Sequence, residues 1–89
     1  METISGTGGS TAWYELRGPI LMALSGTIGG GTATLEVKGG DGSTAIAVDG
    51  QARTAIGAYF VDMPENTRRQ FRVTLASATG AALVVSLTD

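Results

Sequence analysis

The stretch Gly29-Gly-Gly-Thr-Ala-Thr-Leu-Glu-Val-Lys-Gly-Gly-Asp-Gly42 decides the fold of this chain. Between its two glycine clusters the residues alternate with period two. Ala33, Leu35 and Val37 point one way and Thr34, Glu36 and Lys38 the other, as a strand with one buried and one wet face requires. Glycine tolerates the positive φ of tight turns, so Gly39-Gly-Asp-Gly-Ser43 reads as a hairpin loop. It leads into Thr44-Ala-Ile-Ala-Val48, with Ile46 and Val48 on the core face, and Asp49-Gly50 reads as a second tight turn. A phosphate-binding reading of the glycines fails, because such a loop needs a following helix and a Lys-Ser or Lys-Thr pair. Gly29-Gly-Gly-Thr-Ala-Thr34 runs into a strand instead.

The same punctuation organises the rest of the chain, which holds 14 glycines in 89 residues. Thr11 to Arg17 has the aromatic and β-branched content of a first strand, broken by Gly18-Pro19. Ile20 to Ser25 is apolar on both faces, as a strand covered on both sides would be. Ala52 to Ile56 and Ala58 to Asp62 form either two strands or one strand kinked at Gly57, with Phe60 as the natural core member of the Tyr59-Phe60 pair. The polar run from Pro64 to Arg69 reads as the longest loop. Phe71, Val73 and Leu75 then align on one face, and Leu83, Val85 and Leu87 on another. No window carries a helical apolar period free of glycine. About seven short strands at regular spacing predict an all-β fold, a small antiparallel β-sandwich. Residues 3–10 are glycine, serine and threonine with one isoleucine, too little apolar area to offset their ordering entropy. The expectation is a flexible N-terminal arm over residues 1–10 and a single β-sandwich domain over 11–89.

Composition narrows the function classes. The chain has no histidine and no cysteine, so the commonest general base, the commonest metal ligand and the thiol nucleophile are missing. Ser25, Ser43 and Ser77 therefore have no histidine to activate them. Asp41 and Asp49, each before a glycine, supply one carboxylate per turn, whereas calcium takes six to eight oxygen ligands. Asp62 and Glu65 flank Met63-Pro64, but nothing in the sequence places them across a cleft as glycoside hydrolysis requires. The expectation is a non-catalytic protein with no cofactor and no metal. A net charge of −2 gives no basic face for nucleic acid. The longest apolar run, Ile20 to Leu24, falls far short of the roughly 20 residues of a membrane helix. The start of the chain has neither the basic head nor the apolar stretch of a secretory signal, so synthesis in a cytoplasm is expected.

Two groups stand out as candidate partner-binding residues. Trp13, Tyr14 and Arg17 are residue types enriched at interface hot spots, although Trp13 serves equally as a core residue. Arg68 and Arg69, with Arg72 nearby, form a small basic patch suited to an acidic protein surface. The uncharged stretch Ala81 to Leu87 has the composition of an aggregation-prone edge, so it is expected to be paired centrally or covered. A domain of this size has a modest core, which makes a covering neighbour subunit a reasonable expectation.

The succession of the Gly18-Pro19 break, Leu24-Ser-Gly-Thr27, a glycine turn, Thr32-Ala-Thr-Leu-Glu-Val37, an Asp-Gly hairpin, Val61-Asp-Met-Pro64 and Phe71-Arg-Val-Thr-Leu-Ala-Ser-Ala-Thr-Gly80 resembles the small β-sandwich proteins that decorate capsids or form head fibres of tailed bacteriophages. The resemblance covers residues 18–87 and is carried by turn and strand motifs. It implies a structural virion protein, made in the host cytoplasm and bound in many copies to the capsid surface. Its partner would be the major capsid protein, and the protein would be a homo-oligomer there. In that role residues 1–17 would clasp the capsid, with Trp13 and Tyr14 as anchors. The alternative is a carbohydrate- or receptor-binding module of a phage fibre, stacking sugars on Trp13, Tyr14 or Tyr59.

Overall fold

In the computed structural model the described residues are 2–17, 19–62 and 68–89, with only the backbone of Asp49 and Arg68. They form a β-sandwich with no helix among them: β1 (Glu2–Gly6), β2 (Gly9–Ser10), β3 (Tyr14–Arg17), β4 (Ile20–Thr27), β5 (Thr32–Lys38), β6 (Ala45–Arg53), β7 (Gly57–Val61), β8 (Arg68–Ala76) and β9 (Ala81–Thr88). One sheet has the order β1-β9-β4-β7. The other has the order β2-β8-β5-β6, with β3 also paired to β8. Every pairing is antiparallel.

The period-two pattern of β4, β5, β8 and β9 becomes the core, whereas in β6 Val48 packs against it and Ile46, expected on the core face, is 49% exposed. Ile20, Met22 and Leu24 of β4 and Leu83, Val85 and Leu87 of β9 face Leu35 of β5 and Phe71, Val73 and Leu75 of β8, and all are buried in one cluster. Burial of each such side chain is worth about 1.5–3 kcal/mol. The suspect stretch Ala81 to Leu87 lies in β9, paired on both sides by β1 and β4. Its ladder groups are therefore satisfied and present no edge. Near the end of β4, Gly26 sits at φ +84, where a Cβ would meet the Ala82 carbonyl oxygen across the ladder. Only glycine permits that approach.

Several expectations are corrected. Over its described residues 2–10 the expected arm is tied into the sheets, because β1 pairs with β9 from Glu2↔Val85 to Gly6↔Ala81 and β2 pairs with β8. Ile4 is 4% exposed inside the core. The Glu2 carboxylate accepts the Ala12 N–H at 2.9 and 3.1 Å, and its charge lies near the Tyr14 hydroxyl. Low apolar content did not matter, since the open edge of β9 supplies the ladder and the core supplies a site for one isoleucine. The strand expected from Thr11 to Arg17 is interrupted at residues 11–13. There the buried Thr11 replaces ladder geometry with its side chain: its N–H donates to the Val73 carbonyl at 3.0 Å and its hydroxyl oxygen accepts the Val73 N–H at 3.1 Å.

Asp49-Gly50 is not a turn. β6 runs through it, with a register shift against β5 between Thr34↔Ala52 and Glu36↔Ala47 and with Gly50 at φ +74. The ambiguous region resolves into two strands in different sheets, β6 and β7, joined by residues 54–56. Arg68 and Arg69 open β8 rather than close a loop; residues 64–67 of that expected loop lie outside the described residues. The turn at Asp41 is as expected. Its carboxylate accepts the Ser43 and Thr44 N–H groups at 3.0 and 2.9 Å and the Thr44 hydroxyl, which holds the Asp41 carboxyl down at about 2.

Candidate docking surfaces

The outward residues of the β2-β8-β5 sheet form a continuous polar ladder. Ser10 and Thr74 hydroxyls lie 3.0 Å apart, the Thr74 hydroxyl donates to Glu36 at 2.6 Å, and Arg72 Nε donates to the same carboxylate oxygen at 2.8 Å. Sheet register dictates this grouping, because Thr34↔Thr74 and Glu36↔Arg72 are cross-strand partners. Desolvation raises the Glu36 pKa, but the hydrogen bonds from Thr74 and Arg72 and the arginine charge outweigh it, so the net direction is downward. A carboxyl depressed in the folded state adds stability above its unfolded pKa and loses it as pH falls through the lower folded value. Glu36→Gln is therefore expected to cost about 1–2 kcal/mol at pH 7. That difference should close as urea melts are repeated below pH 4.5, the ordinary value for this carboxyl.

The five residues singled out from sequence fall around the end of this face. Trp13 is not the core residue that one of its two readings expected. It is half-buried outside the core, with Arg72 Cζ at 4.7 Å and Lys38 Nζ at 4.9 Å from its ring centroid. Each contact of this kind is worth about 0.5–1 kcal/mol at an exposed site. Tyr14 packs against the core, and burial together with the nearby Glu2 carboxylate raises its pKa. Arg17 is exposed, and its backbone N–H donates to the Asp89 carboxylate at 3.0 Å. The backbone of Arg68 lies opposite Arg17, and that of Arg69 opposite Leu16. Arg69 is exposed and joins Glu15, Lys38, Gly39 and Gln70 around a shallow depression of about 320 Å³. The structure thus brings the tryptophan and the basic patch into one neighbourhood, joined by Lys38, which the sequence reading did not connect to them.

The opposite face of the sandwich has a different chemistry. On the outside of the β1-β9-β4-β7 sheet stand Thr3 and Ser5, then Ala82, Val84, Ser86 and Thr88, then Leu21, Ala23, Ser25 and Thr27, and finally Ala58 and Phe60. None is charged. Phe60 is 80% exposed. This reverses the expectation for the Tyr59-Phe60 pair, since register places Tyr59 opposite the buried Met22 and Phe60 opposite the outward Leu21. Tyr59 suits the rim of the core because its hydroxyl donates to the Ala55 carbonyl at 2.7 Å while Arg53 covers its ring at 4.3 Å. The uncharged runs Ile20–Thr27, Gly57–Val61 and Ala81–Thr88 were the signals in the sequence for this face.

These features define an all-β sandwich with one polar, cation-lined face and one uncharged face, and without a gathered carboxylate cluster able to hold a metal among the described residues. Comparison with protein-family models, with curated proteins and with solved structures finds no match for the chain.

Proposed function

We propose that this chain is a non-catalytic structural protein of a tailed-phage virion, bound as a decoration or cement protein to the outer surface of the capsid, with the major capsid protein as partner and several copies acting together. The observation that carries this reading is the uncharged outer face with Phe60 80% exposed. A large exposed aromatic on a flat face without charge is the pattern of a protein-docking surface. The N-terminal residues take no part as a clasp, because β1 and β2 are committed to the sheets. Docking is instead assigned to the β4-β7 side.

Co-sedimentation with capsids of the corresponding phage, assembled without this protein, tests the reading. The wild-type protein should pellet in a fixed ratio to capsid protein. Phe60→Asp should weaken binding at least about tenfold, the effect of losing one hot-spot side chain, while Trp13→Ala should leave it within about twofold. Absence of wild-type protein from the pellet overturns the proposal. A second reading, a carbohydrate- or receptor-binding module of a fibre, draws support from the depression bordered by Lys38, Arg69 and Gln70 near Trp13. Tryptophan fluorescence changes on titration with acidic oligosaccharides, without capsid binding, would favour it.

A further inference from the structure

We propose that β7 is a homotypic pairing edge: two copies join β7 to β7 antiparallel about a two-fold axis through Tyr59, merging their β1-β9-β4-β7 sheets into one continuous sheet. The starting observation is a contrast among the strand edges. β1 carries Glu2, β2 is only two residues long, β3 carries Glu15 and Arg17, and β6 carries Asp49 and Arg53 and has the register shift. Charges and bulges of this kind protect exposed edges from pairing with another chain. β7, Gly57–Val61, has no charge and no proline. Its register with β4 runs unbroken from Ile20↔Val61 to Leu24↔Gly57, and its other side has no strand partner among the described residues.

A free ladder edge specifies its occupant as another strand, and charge selects a second copy. Pairing about a two-fold brings two copies of the same few residues together on one short ladder, so a strand with charge of one sign repels its copy and an uncharged one does not. With the axis at Tyr59, Gly57 lies opposite the partner's Val61 and Ala58 opposite the partner's Phe60. Ala58 and Phe60 share the outer face. The largest exposed apolar side chain therefore settles beside the smallest residue type with a side chain, twice in each dimer. Five paired residues per copy cover less than the roughly 1,200 Å² of a standard interface, so the pair is weak in dilute solution. Docking of many copies on one scaffold raises their effective concentration toward the millimolar range, where such a pair forms. The pairing itself is independent of the capsid reading. It rests on that reading only for its use, which is to double the uncharged docking face.

Sedimentation velocity from about 10 μM to about 1 mM spans the expected weak association. The mass should rise from 9.0 kDa toward twice that value. The double variant Ala58→Lys/Phe60→Lys should stay at the monomer mass over the whole range, with its thermal melt showing that it remains folded. Because the chain lacks cysteine, register is directly readable. An oxidised mixture of Ala58→Cys and Phe60→Cys proteins should yield mixed disulfide dimers several-fold faster than either alone. A wild-type protein that remains monomeric at the highest concentration overturns the proposal, as does a dimer that survives the double lysine variant. Loss of capsid co-sedimentation with the dimer intact removes only the docking reading.

Discussion

Replacing Phe71 with alanine is expected to cost about 3–5 kcal/mol, a large share of the stability of a domain this size. Phe71 is 2% exposed and is among the largest of the fully buried side chains. It sits where β3, β8 and β5 meet, opposite Tyr14 on one side and Val37 on the other. Both of those neighbours are only partly buried, so neither has a second layer behind it to move inward and fill the space. A domain of 89 residues has a total stability on the order of 5–13 kcal/mol. No disulfide holds the denatured chain together to offset the loss. Urea denaturation followed by the emission of the single tryptophan measures it. The midpoint should fall by about a quarter or more, whereas Phe71→Leu, which keeps most of the volume, should cost less than about 1.5 kcal/mol. An alanine variant within about 1 kcal/mol of wild type would contradict the packing described for this sheet.

Removal of residues 1–6 is the second large effect. A flexible arm would leave the melting temperature unchanged. Here the deletion removes Ile4 from the core, the five-residue pairing with β9, and the Glu2 carboxylate that ties Ala12 to β1. Ile4→Ala alone should cost about 2–5 kcal/mol, which lowers the melting temperature by at least about 8 °C in a domain of this size. The truncation should cost more, and it should also open the β9 edge, whose residues Ala81–Thr88 carry no charge. Thermal melts with parallel light scattering separate the two consequences. Ile4→Ala should unfold at lower temperature without associating, and the truncated chain should associate as well.

The two effects mark different kinds of legibility in the sequence. Phe71 was readable as core because Phe71, Val73 and Leu75 alternate with Arg72 and Thr74 over a long strand, and period-two alternation reports which face is buried. The same holds for Ala33, Leu35 and Val37 and for Leu83, Val85 and Leu87. Ile4 was not readable, since one isoleucine among glycine, serine and threonine carries no period. Its burial depends on a strand edge supplied by residues near the other end of the chain. Tyr59 and Phe60 failed for a related reason: two adjacent aromatics must face opposite ways, and only the register with β4 says which is inside. The bulge at Asp49-Gly50 imitates a turn, because glycine at positive φ serves both. The candidate surfaces follow the same rule. Trp13 and the arginines were legible as residue types, but their grouping with Lys38, and the uncharged face opposite them, arise from strands far apart in sequence.

What the sequence determined by itself was the all-β class, the antiparallel sandwich, the inward faces of its long strands and the Asp41 hairpin turn, all of them consequences of local alternation and of backbone freedom at glycine. The tertiary structure alone decided that the first residues close the edge of one sheet, that Trp13 lies beneath two cations outside the core, and that Phe60 stands in solvent on an uncharged face. Those outcomes depend on which strands pair and in what register, and pairing between residues 64 to 83 positions apart leaves no trace in any local pattern.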